Sequence, residues 1–367
     1  MKKVLMVVHE MNRGGIENFL MNLYRVIDRD VIQFDFVVHT DKKCDFDEEI
    51  EELGGTIYHC PDYRIVNHIT YCKWWNNFFV SHPEYKIVHS HLDSSANIHL
   101  RIAKKFGCVT LAHSHSSAEG FGIKALVKSI LKIGFNNCCD YKFACSSEAA
   151  KWLYGNKADE AIIVKNGIDT KKYIFNAKIR NELRKEWNIQ KDELVLGHIG
   201  RLDKNKNHTF ILDILKELNE LGISSTFVSA GKGEELNSLL DKANHLDLEK
   251  KVLFLGLRED IPSILQAFDI FIMPSIYEGL PVSSIEAQAS GLKCVLSVSI
   301  SQESDLTGNV KFLSLEKSAT EWAEEISKML PYDRNDTSEK IKKAGYDIMT
   351  TAQQLTDFYL NIQEKND

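Results

Sequence analysis

No stretch of the sequence approaches the roughly 18 consecutive apolar residues that a membrane-spanning helix requires. The chain also lacks a Cys-x-x-Cys pair, a short-period repeat and a low-complexity tract. Its formal net charge of -7 argues against general binding to nucleic acid. Its first residues run directly into an apolar strand pattern without a cleavable signal, so we expect a cytoplasmic protein. The eight cysteines are scattered, which predicts reduced and mostly buried thiols.

The composition is that of a globular protein with an ample core. The chain has 367 residues, of which 44% are hydrophobic and 26% are charged, and this length favours two domains. Short apolar strands alternate with helices in both halves, which predicts parallel sheets covered on both faces. The predicted strands are Val4–Val8, Phe34–His39, Thr56–Tyr58, Ile87–His91, Val109–His113, Tyr141–Cys145, Ile162–Lys165, Leu194–Ile199, Thr226–Ala230, Val252–Leu255, Ile270–Met273 and Cys294–Ser297.

One segment of the second half carries two glutamates on either side of a turn that opens a helix. Glu278 precedes Gly279-Leu280-Pro281-Val282, and Glu286 lies just inside the predicted helix. Pro281 suits the first turn of a helix, where its missing N–H has no intrahelical partner. The exposed N–H groups of a helix start favour a phosphate, and carboxylates accept hydrogen bonds from hydroxyls. The pattern therefore indicates a sugar nucleotide, although a plain helix start with two solvated glutamates fits the same spacing.

A second cluster of candidate residues follows the strand Leu194–Ile199. Gly200 turns the chain, and Arg201 and Lys206 then lie at the start of a helix, where they can meet a diphosphate. Gly231 opens a further glycine loop after the strand Thr226–Ala230. Leu236 stands where a third glycine would complete a dinucleotide-binding pattern, so we discount a dehydrogenase.

Together these segments resemble the retaining GT-B glycosyltransferases of glycosyltransferase family four, especially bacterial exopolysaccharide and capsule enzymes. The resemblance spans nearly the whole chain. It implies an α/β protein with two Rossmann-like parallel-sheet domains that face each other across a cleft. Residues 1–170 would form the acceptor-side domain and residues 171–345 the nucleotide-sugar-binding domain. Residues 346–367 would form a C-terminal helix that packs back on the first domain.

The resemblance also implies roles for individual residues. Arg201 and Lys206 would hold the diphosphate, Glu278 would lie beside the donor sugar, and Glu286 would bind the ribose. His113 would lie beside the donor sugar, with His115 as a competing candidate. The glycine loop of the N-terminal domain would lie near the diphosphate and the acceptor, and a further group would lie beside the nucleotide. These residues are Gly14 and Gly15 in the first loop, and Gly231, Gly279, Leu280, Pro281 and Val282 in the second group.

Two pairs of histidines, His89 with His91 and His113 with His115, end neighbouring predicted strands. His89, His91 and Asp93 form a string that metallohydrolases also use to bind zinc. The residue after Asp93 is serine, where that pattern usually continues with histidine. A metal-dependent hydrolase remains an alternative, as does simple packing of the histidines. A GT-B phosphorylase, a nucleotide-sugar epimerase and a non-catalytic nucleotide-sugar-binding partner subunit also remain open.

The main prediction is a retaining, metal-independent hexosyltransferase in exopolysaccharide or capsule biosynthesis. It would use a nucleoside-diphosphate sugar, expected to be a UDP-sugar, and a saccharide or polyprenyl-diphosphate-linked acceptor, with no cofactor. From Arg101 to Lys142 there are seven basic residues and two acidic ones, and Ile123–Ile133 reads as a basic amphipathic helix. This helix either packs on its own sheet or holds the enzyme at the inner face of the cell membrane. The lysines concerned are Lys124, Lys128 and Lys132.

Overall fold

The computed structural model describes residues 1–115 and 129–362 of the chain. It contains two compact units. The first unit consists of Met1–Ile168 together with Gly345–Asp367, and the second consists of Asp169–Ala344. Short 3₁₀ helices occur at Ile65–Asn67, Phe135–Asn137, Gly155–Glu160, Thr170–Tyr173, Lys204–Lys206 and Gln302–Ser304.

The first unit is built on a seven-stranded parallel sheet with the strand order β3-β2-β1-β4-β5-β6-β7. The strands are β1 (Lys2–Val8), β2 (Ile32–Val38), β3 (Ile57–His59), β4 (Ile87–Ser90), β5 (Val109–Ser114), β6 (Tyr141–Ala144) and β7 (Ile162–Ile163). The helices between them are α1 (Gly15–Val26), α2 (Asp47–Glu52), α3 (His68–Ser81), α4 (Ala96–Lys105) and α5 (Ser147–Tyr154). Residues 129–132 are also helical.

Strand β1 shows why this sheet must be covered on both faces. Its side chains alternate in direction, so Val4 and Met6 enter one core while Leu5 and Val7 enter the other. Helix α1 packs on the first face, and α3, α4 and α5 pack on the second. A strand that is buried on both faces appears in sequence as an uninterrupted apolar run, which is why it is recognisable from sequence.

The second unit contains a six-stranded parallel sheet with the order β10-β9-β8-β11-β12-β13. Its strands are β8 (Leu194–Ile199), β9 (Ser225–Ala230), β10 (Val252–Phe254), β11 (Ile270–Met273), β12 (Lys293–Ser297) and β13 (Val310–Leu313). Its helices are α6 (Ala177–Glu186), α7 (His208–Glu220), α8 (Leu236–His245), α9 (Ile261–Ala267), α10 (Val282–Ala289), α11 (Ala319–Ser327) and α12 (Ser338–Lys343).

The last helix, α13 (Ile348–Asn361), belongs to the first unit. It packs beside α1 and buries Ile348, Leu355 and Tyr359 in the core that also receives Val4. Because these residues recur at helical spacing, one face of α13 is apolar and covers the sheet.

The predicted α/β class with two Rossmann-like parallel sheets is confirmed. Every predicted strand is present, with ends that differ by at most two residues. Strand β13 was not predicted. All eight cysteines are free thiols, and six of them are buried. Within residues 1–115 and 129–362, no helix has the length and apolar character needed to cross a bilayer.

The predicted basic helix is only partly open to comparison. Lys124 and Lys128 lie outside the described residues. Lys132 lies within them, and its ammonium group is 3.9 Å from the ring centroid of Trp152. This cation–π contact places the side chain of Lys132 against the first unit.

Candidate functional site

The turn after β8 carries the two predicted diphosphate ligands, Arg201 and Lys206. The Arg201 side chain is 84% exposed, and its Nε atom lies 3.6 Å from the carboxylate of Asp203. The Asp203 side chain accepts a 3.1 Å hydrogen bond from the backbone N–H of Lys206 and so caps the 3₁₀ turn. Arg201 is therefore exposed at the end of β8. The turn that carries Lys206 is held by its own Asp203 side chain.

The glycine loop after β9 packs directly on this turn. A Cβ atom at Gly231 would lie 1.9 Å from the carbonyl oxygen of Gly200, and one at Gly233 would lie 2.1 Å from that of Leu202. The Leu202 N–H donates to the Lys232 carbonyl at 3.0 Å. Only glycine fits where two backbones approach this closely. The two motifs that were predicted separately therefore form one backbone platform.

Lys206 and Glu278 form an ion pair with an Nζ–Oε1 distance of 2.7 Å. Their side chains are only 14% and 15% exposed. Asn205 joins the two motifs, because its amide donates to Glu278 Oε1 at 2.9 Å and to the Tyr277 carbonyl at 2.7 Å. The Asn205 side-chain oxygen in turn accepts the Tyr277 N–H at 3.1 Å. The sequence analysis missed Asn205, since a single asparagine in a turn carries no signal of a partner 73 residues away.

Helix α10 begins at Val282, and Pro281 is its N-cap rather than a residue of its first turn. The prediction was wrong by one position, because Pro281 adopts the extended conformation of a cap, with ψ at 116°. No side chain caps this helix start. In its first turn the Ser284 N–H donates to the Pro281 carbonyl at 3.1 Å, whereas the N–H groups of Val282 and Ser283 precede any intrahelical acceptor.

Glu286 lies on α10 and receives a 2.7 Å hydrogen bond from the Tyr173 hydroxyl. Burial raises the pKa of the Glu286 carboxyl from its ordinary 4.5 to about 7, although the bond from Tyr173 acts in the opposite direction. Because 113 residues separate the pair, sequence reasoning did not find Tyr173. The carboxyl predicted to bind the ribose is therefore oriented by a tyrosine and titrates near neutral pH.

In the first unit, the predicted Gly14-Gly15 loop leads into α1, with Gly14 as the N-cap. A Cβ atom at Gly14 would lie 2.2 Å from the Glu17 carboxylate, whereas one at Gly15 would meet no atom within 4 Å. Burial raises the pKa of Glu17 to about 6. The carboxylate of Glu17, which was not predicted, therefore lies against Gly14, whereas the space beside Gly15 is open.

The two histidine pairs at the ends of β4 and β5 form one cluster. His89, His91 and His113 are 1%, 3% and 0% exposed, and His115 is partly exposed. The His113 and His115 ring centroids are 4.1 Å apart, and His91 Nδ1 lies 2.9 Å from His115 Nε2. Within the described residues, the side chains that bring metal-ligating atoms together are those of His89, His91 and His113, without Asp93. This set differs from the alternative grouping of His89, His91 and Asp93, because the parallel pairing of β4 with β5 brings in His113.

Comparison with known proteins identifies the family. The family model "Glycosyltransferase Family 4" matches residues 13–172, and "Glycosyl transferases group 1" matches residues 179–348. The putative glycosyltransferase EpsF of Bacillus subtilis (strain 168) is 34% identical over 100% of this chain and 98% of its own length. The chain belongs to glycosyltransferase family four. This glycosyltransferase is also 25% identical to the capsular polysaccharide biosynthesis glycosyltransferase CapH of Staphylococcus aureus, over 98% of this chain and 99% of CapH.

Solved structures agree with this assignment at the level of the fold. HepE of Anabaena in complex with UDP and glucose matches with a TM-score of 0.79 and 20% identity, over 99% of this chain and 100% of HepE. The lipopolysaccharide outer core galactosyltransferase WaaB in its apo form matches with a TM-score of 0.70 and 17% identity, over 98% and 100% of the two chains. These likenesses confirm the GT-B fold class for this glycosyltransferase.

Proposed function

We propose that this glycosyltransferase transfers a sugar from a UDP-sugar to a saccharide or polyprenyl-diphosphate-linked acceptor in exopolysaccharide or capsule biosynthesis. The observation that carries the proposal is the network in which Asn205 and Lys206 both bind Glu278. This network joins Lys206, a candidate phosphate ligand, to Glu278, a candidate ligand of the donor sugar, within the second unit. HepE structures with UDP, UDP and glucose, and UDP-glucose support the choice of donor.

The choice of acceptor rests on another relative. An enzyme of Escherichia coli named UDP-Gal:alpha-D-GlcNAc-diphosphoundecaprenol alpha-1,3-galactosyltransferase is 30% identical over 58% of this chain and 58% of its own length. Its name gives a UDP-sugar donor and a polyprenyl-diphosphate-linked acceptor. A cytoplasmic enzyme at the inner face of the membrane would reach both substrates, and Lys124, Lys128 and Lys132 would provide the basic contact.

The difficult step of the reaction is departure of the diphosphate, because negative charge grows on its oxygens as the glycosidic bond breaks. Arg201 and Lys206 offer positive charge, and the uncapped start of α10 offers N–H donors. Groups that are held in place before reaction stabilise this charge more in the transition state than in the ground state. In this proposal the diphosphate needs no metal ion.

The two glutamates would bind hydroxyl groups. Glu286, when ionised, accepts bonds from the ribose hydroxyls, and Tyr173 fixes its orientation. Glu278 accepts a bond from the donor sugar. Gly231 and Gly233 would hold the turn that carries Arg201 in place beside the nucleotide. The residues proposed beside the nucleotide are Gly231, Gly279, Leu280, Pro281 and Val282.

The roles of the first unit remain predictions. Gly14 and Gly15 are expected near the diphosphate and the acceptor. Both candidate histidines, His113 and His115, stay open for contact with the donor sugar, since Nδ1 of His115 is buried like the two ring nitrogens of His113. We propose retention at the anomeric carbon through front-face attack by the acceptor, with the leaving phosphate taking the acceptor's proton.

A ligand panel tests the proposal. Purified protein is examined by calorimetry and thermal shift with uridine, guanosine and adenosine diphosphates and with several UDP-sugars, with and without chelator. Since a ligand of the native state raises the unfolding midpoint, one uridine nucleotide should stabilise wild type but not Arg201→Ala. A midpoint that no nucleotide changes would refute the donor assignment. Donor binding without transfer or hydrolysis would instead favour a non-catalytic partner subunit.

The stereochemistry is tested separately. Once a donor and an acceptor are known, NMR of the first product formed reports its anomeric configuration. Retention supports the mechanism above. Inversion would refute front-face attack while leaving the diphosphate site unaffected.

A further inference from the structure

The histidine cluster at the carboxyl ends of β4 and β5 has more nitrogen atoms than hydrogen-bond partners. Among the described residues, the buried ring nitrogens without a partner include His89 Nε2, His91 Nε2 and both nitrogens of His113. Leaving a buried polar atom unpaired costs free energy, so such atoms call for an explanation. Three of them on adjacent strands indicate a ligand that accepts lone pairs.

The three side chains are disposed to share one ion. Each offers one nitrogen, and these nitrogens all lie within 4.8 Å of one another. Zn–N bonds of about 2.0–2.1 Å place two ligands of one ion no more than about 4 Å apart. Binding of one ion would therefore draw the three nitrogens closer together. The chain geometry that creates it is the pairing of β4 with β5, which sets His89 beside Leu111 and His113 two residues further along.

In His89 and His91 the Nε2 atom is unpaired, but the other ring nitrogen, Nδ1, has a hydrogen-bond partner. His89 Nδ1 lies 2.7 Å from the Tyr359 hydroxyl oxygen, and His91 Nδ1 lies 2.9 Å from His115 Nε2. When each Nδ1–H donates to its partner, the Nε2 lone pair is left for a metal. Histidine ligands of metals are usually held in this way by a second hydrogen bond.

We propose that His89, His91 and His113 form a buried site for one divalent transition-metal ion, with Zn²⁺ as the ion expected. Imidazole ligands favour Zn²⁺ and its neighbours over Mg²⁺ and Ca²⁺, which prefer oxygen. The site joins β4, β5 and, through Tyr359, helix α13. The ion would hold β4 against β5 within the first unit, whereas the candidate diphosphate ligands Arg201 and Lys206 belong to the second unit. The proposal is thus independent of metal-free departure of the diphosphate.

The first test uses the wild-type chain after treatment with a chelator. Zn²⁺ should bind with one ion per chain in calorimetry and raise the unfolding midpoint, whereas Mg²⁺ should do neither. Co²⁺ in place of Zn²⁺ should give the intense visible absorption of a low-coordinate site. Failure of Zn²⁺ to bind at one equivalent, or the weak absorption of six-coordinate surface Co²⁺, would overturn the proposal without any variant.

The second test uses matched variants. His91→Gln should weaken Zn²⁺ affinity about 100-fold or more, and His245→Gln, at an exposed histidine of the other unit, should leave it unchanged. Tyr359→Phe removes the partner of His89 and should weaken affinity about 10- to 100-fold. Tyr24→Phe is the control for loss of a buried hydroxyl in the same unit, since Tyr24 bonds the Leu53 carbonyl instead.

The outcomes of this test differ from those of the nucleotide panel. Equal Zn²⁺ affinity in His91→Gln and wild type would overturn the site, even if uridine nucleotides bind. Binding of Zn²⁺ as expected, together with no response to any nucleotide, would support the site and refute only the proposed donor.

Discussion

Replacing Glu286 with glutamine should stabilise the protein at high pH and weaken binding of the donor. The wild-type carboxyl titrates in the folded state near 7, against 4.5 as its ordinary value. A folded-state pKa that is raised means that the ionised form is disfavoured by folding. The free energy of unfolding therefore falls as pH rises from about 4.5 to about 7 and then stays low.

The size of the effect follows from the shift. About 2.5 pKa units at 1.36 kcal/mol each give at most about 3 kcal/mol, and partial exposure of the side chain reduces this. Glutamine resembles the protonated acid and can still accept the bond from Tyr173. We therefore expect wild type and Glu286→Gln to have similar unfolding free energies at pH 5. At pH 8 the variant should be more stable by up to about 3 kcal/mol.

Urea unfolding of both proteins at pH 5 and pH 8 measures this difference. A gap between variant and wild type that does not change with pH would refute the assigned titration. UDP-glucose affinity is measured in parallel, because its diphosphate does not titrate in this range. If only the ionised carboxylate binds ribose, wild-type affinity should fall about tenfold from pH 8 to pH 6, and Glu286→Gln should bind weakly at both. Tyr173→Phe should move this transition to higher pH, since the hydrogen bond from Tyr173, which lowers the pKa of Glu286, is then absent.

The remaining predictions concern the turn, the glycine platform and the basic segment. Arg201→Ala should raise the activation free energy of transfer by about 3–4 kcal/mol and so lower kcat. It should leave Tm unchanged, because the Arg201 side chain is 84% exposed. Lys206→Ala should lower both kcat and Tm, since it leaves a mostly buried carboxylate without its cation, and normal turnover in either variant would refute the diphosphate site. Gly233→Ala should cost about 1–3 kcal/mol in urea unfolding, whereas Gly15→Ala, with open space around its Cβ, should cost far less. Replacing Lys124, Lys128 and Lys132 together by glutamine should reduce binding to anionic liposomes, while turnover of a soluble acceptor persists. Unchanged liposome binding would favour simple packing of this segment on its own sheet.

Sequence reasoning succeeded where the physical signal is local. A strand such as β1, buried on both faces, must be apolar throughout, so it is visible in the sequence. Strand β13 was not predicted because it has only four residues and includes the exposed Lys311. It also lies at the edge of the sheet, where the apolar pattern along a strand is weaker. The position of Arg201 and Lys206 in the turn between β8 and α7 was predictable because they follow a strand and precede a helix, and their role as phosphate ligands stays a prediction.

Contacts between residues far apart in the chain could not be predicted from local patterns. The bond from Tyr173 to Glu286 depends on how a 3₁₀ turn packs on α10, which no local pattern records. The histidines show a second limit of local patterns. Spacing along the chain suggested Asp93 as a third ligand, whereas neighbours across a parallel sheet come from the next strand, and this brought in His113.

In the proposed binding mode, the contacts of Glu278 let one network meet both parts of a donor. The bonds from Lys206 and Asn205 both end on Oε1, so within the described chain Oε2 is the oxygen that remains for a sugar hydroxyl. An ammonium group has three donors, and Lys206 uses one of them for Glu278. It can therefore contact a phosphate without leaving Glu278 as an unpaired buried charge, which would be costly. If the same pair serves the diphosphate and the sugar as proposed, a complete nucleotide sugar should engage it more fully than a nucleoside diphosphate alone.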